Sequence, residues 1–132
     1  MNRRRSLQVL TAASVMGAAV PFLEGAVGKE PIQLHVELFV DPAREAEMVK
    51  NYHSIFRPVI SKQPGFVDVK LLKMRSVLEG GKPATGWRLL ISFKTEEQRL
   101  TWVATDDHQR VWPSIEKTLV GKKYAIVLYD IQ

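Results

Sequence analysis

The sequence predicts an α+β domain with the element order β-α-β-β-α-β. Three kinds of observation predict it: stretches of strand length with alternating or continuous apolar residues, segments whose apolar residues recur at helical spacing, and turn or capping residues at the junctions. IQLHVELFV (32–40) turns Ile32, Leu34, Val36 and Leu38 one way and Gln33, His35, Glu37 and Phe39 the other, the pattern of a half-buried strand. Asp41-Pro42 then supplies a helix N-cap and a proline suited to the first turn. Met48/Val49, Tyr52/His53, Phe56 and Val59/Ile60 follow at amphipathic spacing, with Pro58 expected to kink or end the last turn.

Pro64-Gly65 marks a turn into a second strand, FVDVKLLKM (66–74), and SVLEGGKPATG (76–86) reads as a flexible hairpin loop before a third, WRLLISF (87–93). Thr95 and Gln98 form a capping box that opens a short helix carrying Leu100 and Val103. Asp106 and Gln109 make a second, similar start, from which His108, Val111/Trp112, Ile115 and Leu119 share a face. Pro113 must kink or restart that helix, Gly121 is expected to end it, and YAIVLYDI (124–131) is the fourth strand. This order is the split pattern of ferredoxin-like folds, with the helices on one face of a four-stranded antiparallel sheet. The wholly apolar side of strand one belongs under the helices. The opposite face, with Gln33, His35, Glu37 and Phe39, is then neither fully polar nor dry and calls for a partner or a ligand.

The first 28 residues differ from the rest. A basic run (Arg3, Arg4, Arg5), a mildly apolar stretch from about Leu7 to Leu23 and the small residues near Ala26-Val27-Gly28 form the layout of an export signal. Gln8, Thr11, Ser14 and Gly17 dilute the stretch below the ~18 unbroken apolar residues of a membrane span. Arg4-Arg5-Ser6-Leu7 resembles a twin-arginine signal, with Gln8 in place of its second hydrophobic residue. The expectation is a signal over 1–28, one domain over 29–132, and a periplasmic or secreted product with no stable membrane span once the signal is removed; the alternative is an uncleaved anchor helix. Losing three arginines and Glu24 takes the formal charge from +5 to +3. The remaining cations form no basic stripe with interleaved aromatics, so nucleic-acid binding is not expected. The chain has no cysteine, which excludes disulfides, thiolate metal ligands and iron–sulfur clusters.

Gln63-Pro64-Gly65-Phe66 leading into the second strand, Phe93-Lys94-Thr95-Glu96-Glu97 leaving the third, and the helix break across Trp102-Val103-Ala104-Thr105-Asp106-Asp107-His108-Gln109 carry a resemblance to antibiotic biosynthesis monooxygenase (ABM) domains of the dimeric α/β-barrel superfamily. It covers about Ile32 to Ile131. The resemblance implies a homodimer with two sheets packed into a barrel and the helices outside. That family includes cofactor-free monooxygenases of phenols and quinols, haem-degrading enzymes and many proteins of no known activity. In the cofactor-free members the deprotonated substrate itself activates oxygen. The protein then supplies a base, an anion stabiliser and a dry aromatic pocket.

The haem-degrading branch pairs an asparagine on the first strand with a tryptophan and a later ligating histidine. Trp102 fits the tryptophan place, but Trp112 holds the histidine place, His108 is out of step, and the first strand has no asparagine. Haem is therefore only a subordinate reading and no cofactor is expected. No HxH or HxxxH spacing suggests a metal site.

The catalytic candidates are His35, Glu37, His108 and Arg88. A carboxylate beside His35 would favour its imidazolium, with a polar pair at an interface as the plain alternative. His108 lies near a helix start, which disfavours its charged form, while Asp106 and Asp107 push the other way; a local cap or core bridge is its alternative. Arg88 suits a phenolate or a cross-strand ion pair. Trp87, Trp102, Trp112, Tyr52 and His53 are candidates to line a substrate cavity, or to serve as ordinary core and interface aromatics. The leading expectation is oxidation of a small aromatic or quinol-type compound by O2, with His35 or His108 as base. A non-catalytic dimer that binds a small ligand or a partner chain is the alternative.

Overall fold

The computed structural model describes residues 30–132, and the expected export signal lies outside them. Strand β1 (Ile32–Val40) alternates buried and half-buried residues along its length, as its sequence alternates. Asp41 accepts from the Ala43 N–H at 2.9 Å and, with Pro42, opens a short 3-10 turn (Pro42–Arg44). The first helix, α1, follows as an α segment (Glu45–Asn51), a π turn (Tyr52–Phe56) and a closing α segment (Arg57–Ile60).

Pro58 does not end this helix. The π turn lets Arg57 N–H reach back to the Tyr52 carbonyl, and Pro58 then falls in the first turn of the closing segment, where a missing N–H costs little.

Strand β2 (Phe66–Lys73) is entered through Gly65, whose φ of +82° favours glycine. A Cβ there would also stand 2.8 Å from Gln98 Cβ. Strand β3 (Trp87–Phe93) follows the irregular 74–86 segment, which is pinned at its base by Met74 N–H donating to the Gly86 carbonyl at 2.7 Å. Helix α2 (Glu96–Val103) is capped by Thr95, whose hydroxyl accepts from Gln98 N–H at 3.0 Å.

Helix α3 (Asp106–Glu116) is capped by Thr105 rather than Asp106. The Thr105 hydroxyl accepts from His108 N–H at 3.1 Å and donates to the Trp102 carbonyl at 2.7 Å, so one side chain joins the end of α2 to the start of α3. Gly121 does not end α3 either: Lys117 and Thr118 N–H close its last carbonyls, and the fully buried Thr118 hydroxyl donates to Ile115 at 2.6 Å. Strand β4 (Leu119–Asp130) therefore starts five residues earlier than position 124, because Leu119 is buried and pairs with Val40. Gly121 lies inside the strand, at φ +58°.

The sheet order is β2-β3-β1-β4, every pair antiparallel, which is the ferredoxin-like α+β arrangement. The three helices cover one face. Leu34, Val36, Leu38, Leu89, Ile91 and Phe93 meet Met48, Phe56, Ile60, Trp102, Val111 and Ile115 there in a single core. Among the described residues no helix is long and apolar enough to cross a membrane.

The two capping geometries make opposite demands on adjacent residues. Thr105→Ala should lower stability by about 1 kcal/mol in denaturant melts, and Asp106→Ala, whose residue is exposed, by only a few tenths. The reverse ranking would return the cap to Asp106.

Candidate functional site

Strand alternation and helix placement sort the candidate residues into three separate places. On the helix-covered side, a cavity of about 200 Å3 opens between β1, β3 and β4 and the helices. Leu34, Val36, Ile91 and Ile126 form its sheet side, and Phe56, Trp102, Val103 and Trp112 its helix side, with His108, Arg99 and Tyr124 completing it. Its wall is an unbroken aromatic series. His108 meets Trp102 edge-on at 5.0 Å, Trp102 and Trp112 each meet the Phe56 ring at 6.2 Å, and Trp112 meets Tyr124 at 5.1 Å. The break between α2 and α3 places Trp102 and His108 together, because the shared Thr105 cap turns the chain between them.

His108 is the imidazole of this cavity. Burial holds its imidazole below the ordinary range, and the nearby Arg99 guanidinium pushes the same way. The field of the α3 N-terminus acts in that direction too. Asp107, which the sequence sets against this, is engaged by Arg110 at 2.9 Å and by Gln63 at 3.4 Å. His108 Nδ1 is buried and has no hydrogen-bond partner among the described residues. A buried polar atom left so costs about 1–3 kcal/mol and calls for a partner, which an ordered water, an ion or a ligand can supply. Arg99 is held by a two-pronged pair with Glu96 at 2.6 and 2.7 Å, on the helix face that also carries Trp102. Arg99, Phe56 and Tyr124 were not among the sequence candidates. Arg99 lies three residues before Trp102, a spacing that already put it on the same helix face; Phe56 and Tyr124 come from distant elements and carry no local signal.

His35, Glu37 and Arg88 lie on the opposite, open face of the sheet. Glu37 and Arg88 face each other in register across β1 and β3 and form an ion pair. The expected carboxylate support for His35 is thereby diverted: His35 is held below the ordinary imidazole range, by burial first and by Arg88 second. Its Nε2–H donates to Gln33 Oε1 at 2.8 Å, and its ring lies 4.5 Å from that of Tyr129. The thickness of the sheet separates these groups from the cavity.

The remaining candidates fall elsewhere. Tyr52 is buried, donating to the Val69 carbonyl at 3.3 Å, and its ring stacks on Phe56 as a core neighbour of the cavity. His53, one residue on, is exposed on the outer side of α1 and does not reach the cavity. Trp87 is buried at the far end of the sheet, its indole N–H donating to Glu45 at 3.2 Å. Among the described residues no group of three or more potential side-chain ligands is placed to hold a metal ion.

No protein-family model and no curated protein matches the sequence. Solved structures do match in fold. A candidate antibiotic biosynthesis monooxygenase of Caulobacter crescentus CB15 superposes with a TM-score of 0.63 at 21% identity, covering 84% of this chain and 98% of that one. A cofactor-independent oxygenase of Streptomyces nogalater, SnoaB, gives 0.63 at 14% identity over 78% of this chain and 94% of its own. A dimeric ferredoxin-like protein of unknown function from Jannaschia sp. CCS1 gives 0.65 at 13% identity over 76% and 99%. At these identities the likeness establishes the fold: this chain is built on the same ferredoxin-like α+β plan as structures of the ABM type.

Proposed function

We propose that the chain is a cofactor-independent monooxygenase that oxidises a small phenol or quinol with O2 in the cavity beside His108. The observation that carries this is a histidine whose pKa is lowered by burial and by Arg99, with a buried nitrogen unpartnered among the described residues, set in an aromatic wall next to a guanidinium. An apolar cavity of roughly 150 Å3 holds benzene, so this one accommodates a single substituted ring.

His108 accepts the substrate's hydroxyl proton, and Arg99 favours the phenolate that forms. The phenolate passes one electron to O2, the resulting radical and superoxide combine at a ring carbon, and His108 returns its proton as water departs. One ring C–H becomes a quinone carbonyl carrying one atom of O2, and the other atom leaves as water with the two hydrogens. The surrounding Trp102, Phe56 and Trp112 keep bulk water from the phenolate and the peroxide. No residue on the open face takes part.

A second reading, a non-catalytic dimer that holds a small aromatic ligand, is favoured by one observation. Glu37 is consumed by Arg88, and the cavity offers no carboxylate to work with His108.

Quinol and phenol turnover followed by oxygen uptake separates the two. His108→Ala should lower kcat/KM by about 10²–10⁴-fold, with His35→Ala within a few-fold of the unaltered chain. The base must be neutral, and the pKa of His108 is depressed, so activity should hold as pH falls through the ordinary histidine value of about 6.5 and decline only below it. Oxygen uptake indifferent to His108, or an acid limb at or above that value, sinks the proposal; a ligand retained on purification without turnover supports the second reading.

The open face adds a quaternary proposal. Leu72, Val127 and Tyr129 are exposed there beside the Glu37–Arg88 pair, a mixed surface suited to a second copy packed sheet to sheet. Light scattering should give a dimer at micromolar concentration, and Val127→Lys should shift it towards monomer; a monomeric unaltered chain contradicts the arrangement. We further propose export through the twin-arginine-like N-terminus to the periplasm or beyond. Replacing Arg4 and Arg5 by lysine together should retain the product in the cytoplasm of a bacterial host, and unchanged export would refute the assignment.

A further inference from the structure

The cavity beside His108 leaves unused a second concavity, a depression of about 480 Å3 at the end of the sheet where β1 and β2 finish and β3 and β4 begin. Phe39 and Trp87 supply aromatic surface, and Lys73, Lys123 and Glu45 supply the charge. No residue lines both this depression and the cavity.

Charge within the depression is unevenly matched. Glu45 uses both carboxylate oxygens: Oε1 faces Lys73 Nζ at 3.6 Å and Oε2 accepts from the Trp87 indole at 3.2 Å. Lys123 has no carboxylate partner among the described residues; its ammonium stands over the Phe39 ring, 4.4 Å from the centroid. Lys73 Nζ likewise lies 5.3 Å from the Trp87 ring centre. One net positive charge is thus presented beside two aromatic side chains.

The backbone supplies an independent observation. Gly121 and Lys122 are consecutive residues with φ of +58° and +57°, and Lys122 is the one non-glycine residue with positive φ among those described. For a lysine that conformation costs on the order of 1 kcal/mol, and strain of this kind concentrates at functional sites. It coincides with the irregularity at which pairing slips between Leu38 and Val40. Bulges bend a strand and re-aim its side chains, and this one delivers Lys123 to Phe39 and the depression.

We propose that this depression binds a small organic anion with a ring-bearing apolar body. Lys123 and Phe39 reach this end from the open face of the sheet and Lys73 and Trp87 from the helix-covered one, so the anion would lie across the sheet end with its carboxylate towards the two ammonium groups. The site is independent of the proposed oxidation, since no lining residue is shared, and it stands whether or not the chain turns over a phenol.

Amide chemical-shift titration of the full chain with benzoate, and with benzyl alcohol as its uncharged match in size, tests it. Benzoate should shift Thr85, Gly86, Trp87 and Lys123 saturably, and Lys123→Gln, a change at an exposed position, should weaken it about three- to fivefold. Benzyl alcohol should bind at least that much more weakly, and Glu45→Gln should tighten benzoate by releasing Lys73. Shifts confined to the surroundings of His108, equal affinity for benzyl alcohol, or an unaltered affinity in Lys123→Gln would each overturn the proposal.

Discussion

The period-two alternation of β1 is the constraint on which the rest of the structure depends. β1 is an inner strand, paired with β3 on one side and β4 on the other, so its register propagates to both. Ile32, Leu34, Val36 and Leu38 are each at most 5% exposed and form the floor beneath the helices. A slip of one residue would turn that apolar set to solvent and bring Gln33, His35, Glu37 and Phe39 into the core, at about 1.5–3 kcal/mol for each large side chain exposed. The same alternation assigns the chemistry. Leu34 and Val36, of even number on β1, wall the aromatic cavity, and side chains of odd number carry the Glu37–Arg88 pair and His35.

The break between α2 and α3 depends on that floor. One continuous helix would carry the chain straight past the sheet, but the Thr105 hydroxyl accepts from one helix and donates to the other, making a tight corner there. Trp102 ends on one side of the corner and His108 begins on the other, so two residues six apart in sequence meet edge-on. The π turn in α1 widens that helix next to Phe56, whose ring touches both Trp102 and Trp112. Two local departures from α geometry therefore converge on the cavity wall, consistent with the tendency of π turns to occur at functional sites.

The element order was legible because each strand announces itself by alternation or apolar content and each helix by spacing and a cap, as Thr95 and Asp41 show. Boundaries were harder to read where two residues of equal local merit compete. Thr105 and Asp106 are both good N-caps, and the choice rests on tertiary packing, which buries Val111 and Ile115 and thereby fixes the rotation of α3. The early start of β4 depends on Leu119 meeting Val40, a contact between distant segments that no local pattern contains. For the site, Trp102, His108 and Trp112 were visible because they lie within eleven consecutive residues. Phe56 and Tyr124 were not, since only folding brings them there. His35 and Glu37 drew attention by sharing a face, but sequence did not reveal that Arg88 stands opposite Glu37 and takes up its charge.

His35 and His108 then illustrate why a depressed pKa alone does not identify a base. Burial lowers both, and a guanidinium lowers both further. They differ in what the ring nitrogens meet. His35 spends Nε2–H on Gln33 and lies beside Tyr129 on a surface where β4 remains broadly exposed. A proton passed to it would travel towards solvent or a facing protein surface. His108 keeps Nδ1 unpartnered among the described residues, and its ring is packed edge-on against an indole that also walls the cavity. If the ring turned this nitrogen to the cavity, the hydroxyl of the proposed substrate would supply the hydrogen bond it lacks, recovering much of the desolvation cost incurred on folding. In the proposed reaction ligand binding and proton transfer would draw on the same unmet bond, so the feature that makes His108 costly to bury is the one on which that proposal rests.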